Sequence, residues 1–184
     1  MDETTEQMEY GNQEDTITLD FSKAFDKVSH TLLVHKIQCH GIGGHLNARI
    51  ESFLDGRQQV VVVEGERSDF VPVESGVRQG SVLRPSLFLT YINDLLAGIK
   101  SKVRLFADDT MCSKTIKKAE DQHTLQEDLD SLTTWEEQWS MDFHPQKNST
   151  LSATHKQKKI IPVYELHGHI LENVSMTKHL GVTI

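Results

Sequence analysis

Three carboxylates in this 184-residue sequence stand where carboxylates are hard to tolerate. Asp20 lies near the end of the run Thr16 to Phe21 (TITLDF), which reads as a short buried strand. Asp108 and Asp109 occupy the tip between two strand-like arms, Val103 to Phe106 and Thr110 to Lys114. Acids grouped at the ends of buried strands repel one another and lose hydration, and a cation that neutralises them relieves both costs. Hard divalent ions such as Mg²⁺ take carboxylate oxygens and keep water and phosphate as their other ligands. Two such ions about 4 Å apart can clamp the entering and leaving oxygens of an in-line phosphoryl transfer. That chemistry depends on positioning and charge neutralisation more than on a protein nucleophile. An isolated Asp-Asp pair is more often a solvated turn, but the flanking arms and a further strand-end acid weigh against that reading here.

Holding such a group in place requires a core, and the composition supplies one, with 37% hydrophobic and 25% charged residues. No apolar run approaches the roughly 18 residues of a membrane span. The acidic, polar start, Met1 to Asp15, lacks the basic and apolar parts of a signal peptide. Cys39 and Cys112 lie far apart and predict no disulfide framework. Together these predict an intracellular, reducing compartment, either nucleus or cytoplasm, and no membrane partner. The net charge is -8, but residues 1–20 hold seven acids and no Lys or Arg, so the remainder carries -8 + 7 = -1. A near-neutral body neither requires nor excludes a nucleic-acid partner.

Residues 1–14 read as a disordered acidic leader, and 15–184 as one α+β domain. Ser29 is a candidate N-cap for a helix to about Cys39, with Gly41 just past its end. A second helix is expected over 44–55, with Leu46, Ile50, Phe53 and Leu54 on one face. Arg57 to Val63 and Ser68 to Glu74 read as a hairpin around Glu64-Gly65-Glu66. A helix is predicted over 85–99, starting at Pro85, since proline is tolerated in a first turn. Leu125, Leu129, Leu132, Trp135 and Trp139 mark an amphipathic helix over 118–139, with the tryptophans as core. Strand-like pieces follow at Ser149 to Ala153, Ile160 to Leu166 and His179 to Ile184. This order predicts a sheet with helices on one side. His30, His35, His40 and His45 scatter around a helix, and His167 and His169 have no cysteine pattern beside them, so no zinc site is expected. Lys156, Lys158 and Lys159 read as a solvated loop more readily than as a phosphate contact.

Five segments together carry a family resemblance. They are Leu19-Asp20-Phe21-Ser22-Lys23-Ala24-Phe25-Asp26-Lys27-Val28-Ser29-His30; Ser75-Gly76-Val77-Arg78-Gln79-Gly80-Ser81-Val82-Leu83 with Tyr91-Ile92-Asn93-Asp94-Leu95; Phe106-Ala107-Asp108-Asp109; Trp135, Trp139, Met141, Phe143 and Lys147; and His179-Leu180-Gly181-Val182. In this order and at these separations they resemble the reverse transcriptases of non-LTR (LINE-type, jockey/CR1-like) retrotransposons, over the palm region. The resemblance implies the palm of a right-hand polymerase, a small antiparallel sheet backed by helices. It implies RNA-directed DNA polymerisation, with an RNA template, a DNA primer and deoxynucleoside triphosphates as partners. Asp20, Asp108 and Asp109 would hold two Mg²⁺ ions, Mn²⁺ serving as a substitute, joined by the backbone carbonyl of Phe21. Phe25 would lie beside the nucleotide sugar, Gln79 and Gly80 near the template–nucleotide pair, and Lys147 would protonate the leaving pyrophosphate. Each has a plainer alternative: Phe25 as core, Lys147 as a solvated lysine, Asp26 as a cap for the turn before Ser29, and Tyr91 and Asn93 as packing.

The sequence departs from the family pattern at Arg78, where proline is usual, and at Arg84, where glycine is usual. The second puts a long cation where a small residue would let template or nucleotide approach. Nothing upstream of Thr16 resembles fingers and nothing downstream a thumb, so the isolated chain is expected to be weakly active or inactive. The rival expectation is a catalytically dead or domesticated remnant that binds only RNA or protein. A two-metal nuclease of another fold is a more distant alternative, because it leaves Gln79-Gly80 and the tryptophan helix unexplained.

Overall fold

The computed structural model describes residues 12–144, 147–154 and 160–176, together with the backbone of 178, 179, 182 and 183. In chain order the principal elements are β1 (Gln13–Asp20), α1 (Ala24–Lys27), α2 (His30–Cys39), α3 (Gly44–Leu54) and α4 (Leu83–Ile92). They continue as β2 (Lys102–Phe106), β3 (Asp109–Ile116), α5 (Ala119–Trp139), β4 (Ser149–Thr154) and β5 (Glu172–Val174). The chain divides into two compact units. One comprises residues up to 22, 95–138 and 142 onward, and the other Lys23–Asp94 with Trp139–Met141.

The first unit is a five-stranded sheet in the order β5-β4-β1-β3-β2. Its centre, β1, pairs antiparallel with β3 from Gln13↔Ile116 to Asp20↔Asp109, and with β4 from Gln13↔Thr154 to Thr18↔Ser149. Side chains alternate across a strand. Ile17 and Leu19 are buried, as are Leu125, Leu129 and Leu132 of α5, whereas Thr16, Thr18 and Asp20 fall on the opposite, half-open side of β1. The expected antiparallel sheet therefore holds for four strands. The edge strand β5 is parallel to β4, Glu172↔Ser149 to Val174↔Leu151, a pairing that a tight two-residue turn cannot connect.

β1 also begins at Gln13, taking in two residues that composition assigns to the leader; residues 1–11 lie outside the described residues. Tertiary partners explain the early start. The Gln13 side-chain amide donates to the Ile160 carbonyl (2.8 Å) and accepts its N–H (2.9 Å). Asp15 is fully buried, and it accepts from Gln13 Nε2 (2.8 Å), Ser152 Oγ (2.6 Å) and Tyr164 Oη (2.7 Å). A carboxylate this deep is tolerable only with such donors. Lys156, Lys158 and Lys159 fall outside the described residues, as do Leu180 and Gly181 of the last quoted segment.

In the second unit α2 packs on α3 and α4. The Ser29 side chain caps α2 by accepting the Leu32 N–H, and Gly41 follows its end at φ +80°. The expected hairpin forms as two short antiparallel pairs, Gln58–Gln59 with Val71–Pro72 and Val62–Val63 with Glu66–Arg67. Helix α4 stops at Ile92 instead of 99. The physical reason is Lys36, a buried lysine of α2. Its ammonium binds the Tyr91 carbonyl and Asp94, and lies 3.5 Å from the Trp139 ring centroid. In a continuing helix that carbonyl would accept the Leu95 N–H. Burial, opposed by Asp94, holds the Lys36 pKa below its ordinary value.

Candidate active site at the strand ends

Asp20 is the last residue of β1 and Asp109 the first of β3, and they are direct partners in the antiparallel ladder. Residues so opposed project to the same face, with Cβ atoms about 4.5–5.5 Å apart. Both are half-buried. The turn joining β2 to β3 is only Ala107-Asp108, closed by the pair Phe106↔Asp109. Ala107 adopts φ +53°, a conformation that two-residue hairpins normally give to glycine. Such strain, of order 1–3 kcal/mol, gathers at functional sites. Here it sits directly before Asp108.

A loop that follows α5 wraps the end of β1. Phe143 forms an isolated antiparallel bridge with Phe21. Its flanking bonds run from Ser22 N–H to the Asp142 carbonyl (2.7 Å) and from His144 N–H to the Asp20 carbonyl (2.6 Å). Neither uses the Phe21 carbonyl. The Phe21 ring is buried, stacked on Phe143 at 4.4 Å and tilted against Trp135 at 6.1 Å. Farther along the loop, Lys147 places its ammonium 2.6 Å from Asp20 Oδ2, and Asn148 Oδ1 accepts the Asp20 N–H (3.1 Å). Asp20 above all, then Asp108 and Asp109, holds the Lys147 pKa above its ordinary value.

Asp20, Asp108, Asp109, Lys147 and Phe21 are therefore gathered at one end of one sheet. The three aspartates do not close a ready-made cage: among the described residues no three His, Cys, Asp or Glu side chains are arranged to hold a metal ion. The ammonium of Lys147 stands against Asp20 as the cation of the group.

Phe25, Gln79 and Gly80 belong to the other unit. Phe25 is half-buried, packed on Phe88 at 4.2 Å, and the Arg84 guanidinium lies 4.5 Å from its ring centroid. Arg84 Nη2 is also 4.0 Å from Asp26 Oδ1, so Asp26 faces this cation. Gln79 and Gly80 are exposed, with Gly80 at φ +78°. Tyr91 packs as expected: it is fully buried, and its hydroxyl donates to the Trp139 carbonyl.

Sequence reading missed two supporting residues. Asn148 has no signal beyond adjacency to Lys147. Glu136 had one, an acid beside the apolar stripe of α5. It is buried, accepts the Phe143 N–H and meets His167 Nε2 at 2.8 Å. Burial pushes its carboxyl up to about 7, against the pull of the Phe143 N–H and His167. Glu136 thereby ties α5 to the loop that frames Asp20.

The family model described as reverse transcriptase (RNA-dependent DNA polymerase) matches residues 3–184. The RNA-directed DNA polymerase from the mobile element jockey of Drosophila melanogaster is 30% identical over 177 residues, covering 90% of this chain and 19% of that protein. A Pol polyprotein of the type-1 retrotransposable element R2 of Popillia japonica is 24% identical over 188 residues, covering 94% of this chain and 31% of that protein. Among solved structures, apo telomerase from Candida tropicalis shares the fold, with a TM-score of 0.59 at 11% identity over 98% of this chain and 36% of that one. The chain spans about a fifth of the jockey polymerase. Since one family model spans the strand-end aspartates, their hairpin and the loop beyond α5 alike, the chain belongs to the reverse transcriptase (RNA-dependent DNA polymerase) family.

Proposed function

We propose that this chain carries the nucleotidyl-transfer centre of an RNA-directed DNA polymerase. The reaction is attack of a primer 3′-hydroxyl on a deoxynucleoside triphosphate over an RNA template, releasing pyrophosphate. The observation that carries the reading is the direct opposition of Asp20 and Asp109, with Asp108 next in the turn and Lys147 on Asp20. The donors are oxygens, and one already faces a cation, a set suited to a hard divalent ion. Asp20, Asp108, Asp109 and the Phe21 carbonyl would hold two Mg²⁺ ions, Mn²⁺ serving in their place. When bound, such ions neutralise charge on the attacking and leaving oxygens.

The protein's own contribution is placement. The bonds from His144 and to Asn148 fix the backbone of Asp20, so its carboxylate need not reorganise. Lys147 carries a proton within reach of the same cluster and serves as the acid for the leaving pyrophosphate. Phe25 bounds the sugar side of the nucleotide and excludes a 2′-hydroxyl. Gln79 and Gly80 face the template–nucleotide pair, where a glycine at positive φ keeps the backbone open to close approach.

The test is extension of a DNA primer annealed to RNA by the purified chain with Mg²⁺ and one deoxynucleotide. Weak metal-dependent addition is expected of the isolated chain, with Asp109→Asn reducing it by about a hundredfold or more, the effect of losing several kcal/mol of charge stabilisation. No addition by a folded chain that binds the primed RNA would contradict the proposal and favour a binding-only role.

A further inference from the structure

We propose that Lys147 is a built-in counter-cation of the carboxylate cluster, holding Asp20 while no divalent ion is bound and withdrawing when one enters. The inference rests on the metal-binding reading above and adds a displacement that this reading does not require.

Three observations carry it. The first is electrostatic. Asp20 and Asp109 are opposed across the ladder with Asp108 adjacent, and like charges directly opposite destabilise a strand pair. An ammonium 2.6 Å from Asp20 Oδ2 offsets that repulsion within the chain itself.

The second is that the Lys147 side chain is replaceable at this position. It is 60% exposed, whereas that of Asp20 is 21% exposed, so the ammonium meets the carboxylate from the solvent side. An exposed pair of this kind is weak and exchangeable. A lysine ammonium is a point charge on a flexible four-carbon stem, able to leave by rotation of its own side chain.

The third is that the loop does not depend on the ammonium for its position. The Lys147 N–H donates to the His144 carbonyl (3.1 Å), the His144 N–H donates to the Asp20 carbonyl (2.6 Å), and Asn148 Oδ1 accepts the Asp20 N–H (3.1 Å). Withdrawal therefore moves one side chain and leaves the backbone around Asp20 in place.

In this arrangement the ion and the lysine exclude each other at Asp20. The ammonium becomes available to another anion, such as a phosphate, only once the ion is bound. Metal occupancy thus gates the position of the proton donor.

The experiment is calorimetric titration of Mn²⁺ into the intact chain, its Lys147→Met and Lys147→Arg variants, and Asp20→Asn. Circular dichroism checks that each variant is folded. Lys147→Met should bind Mn²⁺ more tightly, by up to about fivefold. Lys147→Arg restores a competing charge and should return the affinity towards that of the parent. In parallel, the Nζ resonance of Lys147 should shift when diamagnetic Mg²⁺ is added. Equal or weaker binding by Lys147→Met, together with loss of binding in Asp20→Asn, would overturn the displacement while leaving the metal reading intact. No binding by the parent or by Lys147→Met would overturn both.

Discussion

At the scale of single residues, the site depends on backbone conformations that few side chains accept. Gly76 shows this in the segment that precedes Gln79 and Gly80. It adopts φ +88°, and a Cβ there would lie 3.0 Å from the Asp26 carbonyl oxygen and 3.1 Å from Asp26 Cα. The close approach is built by bonds from Gly76 N–H to the Val28 carbonyl, Val77 N–H to the Phe25 carbonyl and Ser75 Oγ to the Asp26 carbonyl. Both the angle and the space exclude alanine. Gly76→Ala should therefore cost roughly 1–3 kcal/mol, combining backbone strain with a contact that only backbone movement relieves. Urea unfolding reads this directly, and a midpoint equal to that of the parent would show that the segment is not held against 25–28 as described.

At the scale of elements, Glu136 couples α5 to the loop that frames Asp20. A buried carboxyl raised from its ordinary 4.5 to about 7 binds a proton in the folded state that it lacks when unfolded. Its contribution is then fully present below pH 4.5 and declines as pH rises through about 7. His167 and Asp142 face the same carboxyl, the first favouring its ionised form and the second opposing it. Glu136→Gln removes the titration and keeps an oxygen to accept the Phe143 N–H. Relative to the parent, this variant should gain about 1–3 kcal/mol of stability between pH 5 and pH 8. Denaturant midpoints taken across that range would show a constant difference if Glu136 were ordinary.

At the scale of the whole molecule, legibility followed the range of the interactions. The strand at 16–20, the capped helix after Ser29 and the stripe Leu125 to Trp139 are set by local alternation, capping and periodicity, and all three appear where the sequence predicts them. The common face of Asp20 and Asp109 was legible too, because a strand-end acid and a hairpin-tip pair meet as soon as their strands pair. What escaped depends on partners distant in sequence. Lys36 is buried only because Asp94 and the Tyr91 carbonyl meet its ammonium, and that contact also shortens α4. Asp15 is buried through Ser152 and Tyr164, partners far along the chain that local composition cannot reveal. The arginine at 84 was visible as a departure, but its place over the Phe25 ring was not.

The central claim is that the strand-end carboxylates form a site for a divalent cation, and thermal unfolding with and without Mg²⁺ tests it most directly. A ligand that binds only the folded state stabilises it by mass action, about 2.7 kcal/mol at a hundred times its Kd. The parent chain should melt higher as Mg²⁺ is added. Asp109→Asn should melt slightly higher than the parent without metal, since it removes a like charge opposite Asp20, and should lose the Mg²⁺ response. A parent chain indifferent to Mg²⁺, or an Asp109→Asn variant that responds as strongly as the parent, would contradict the account.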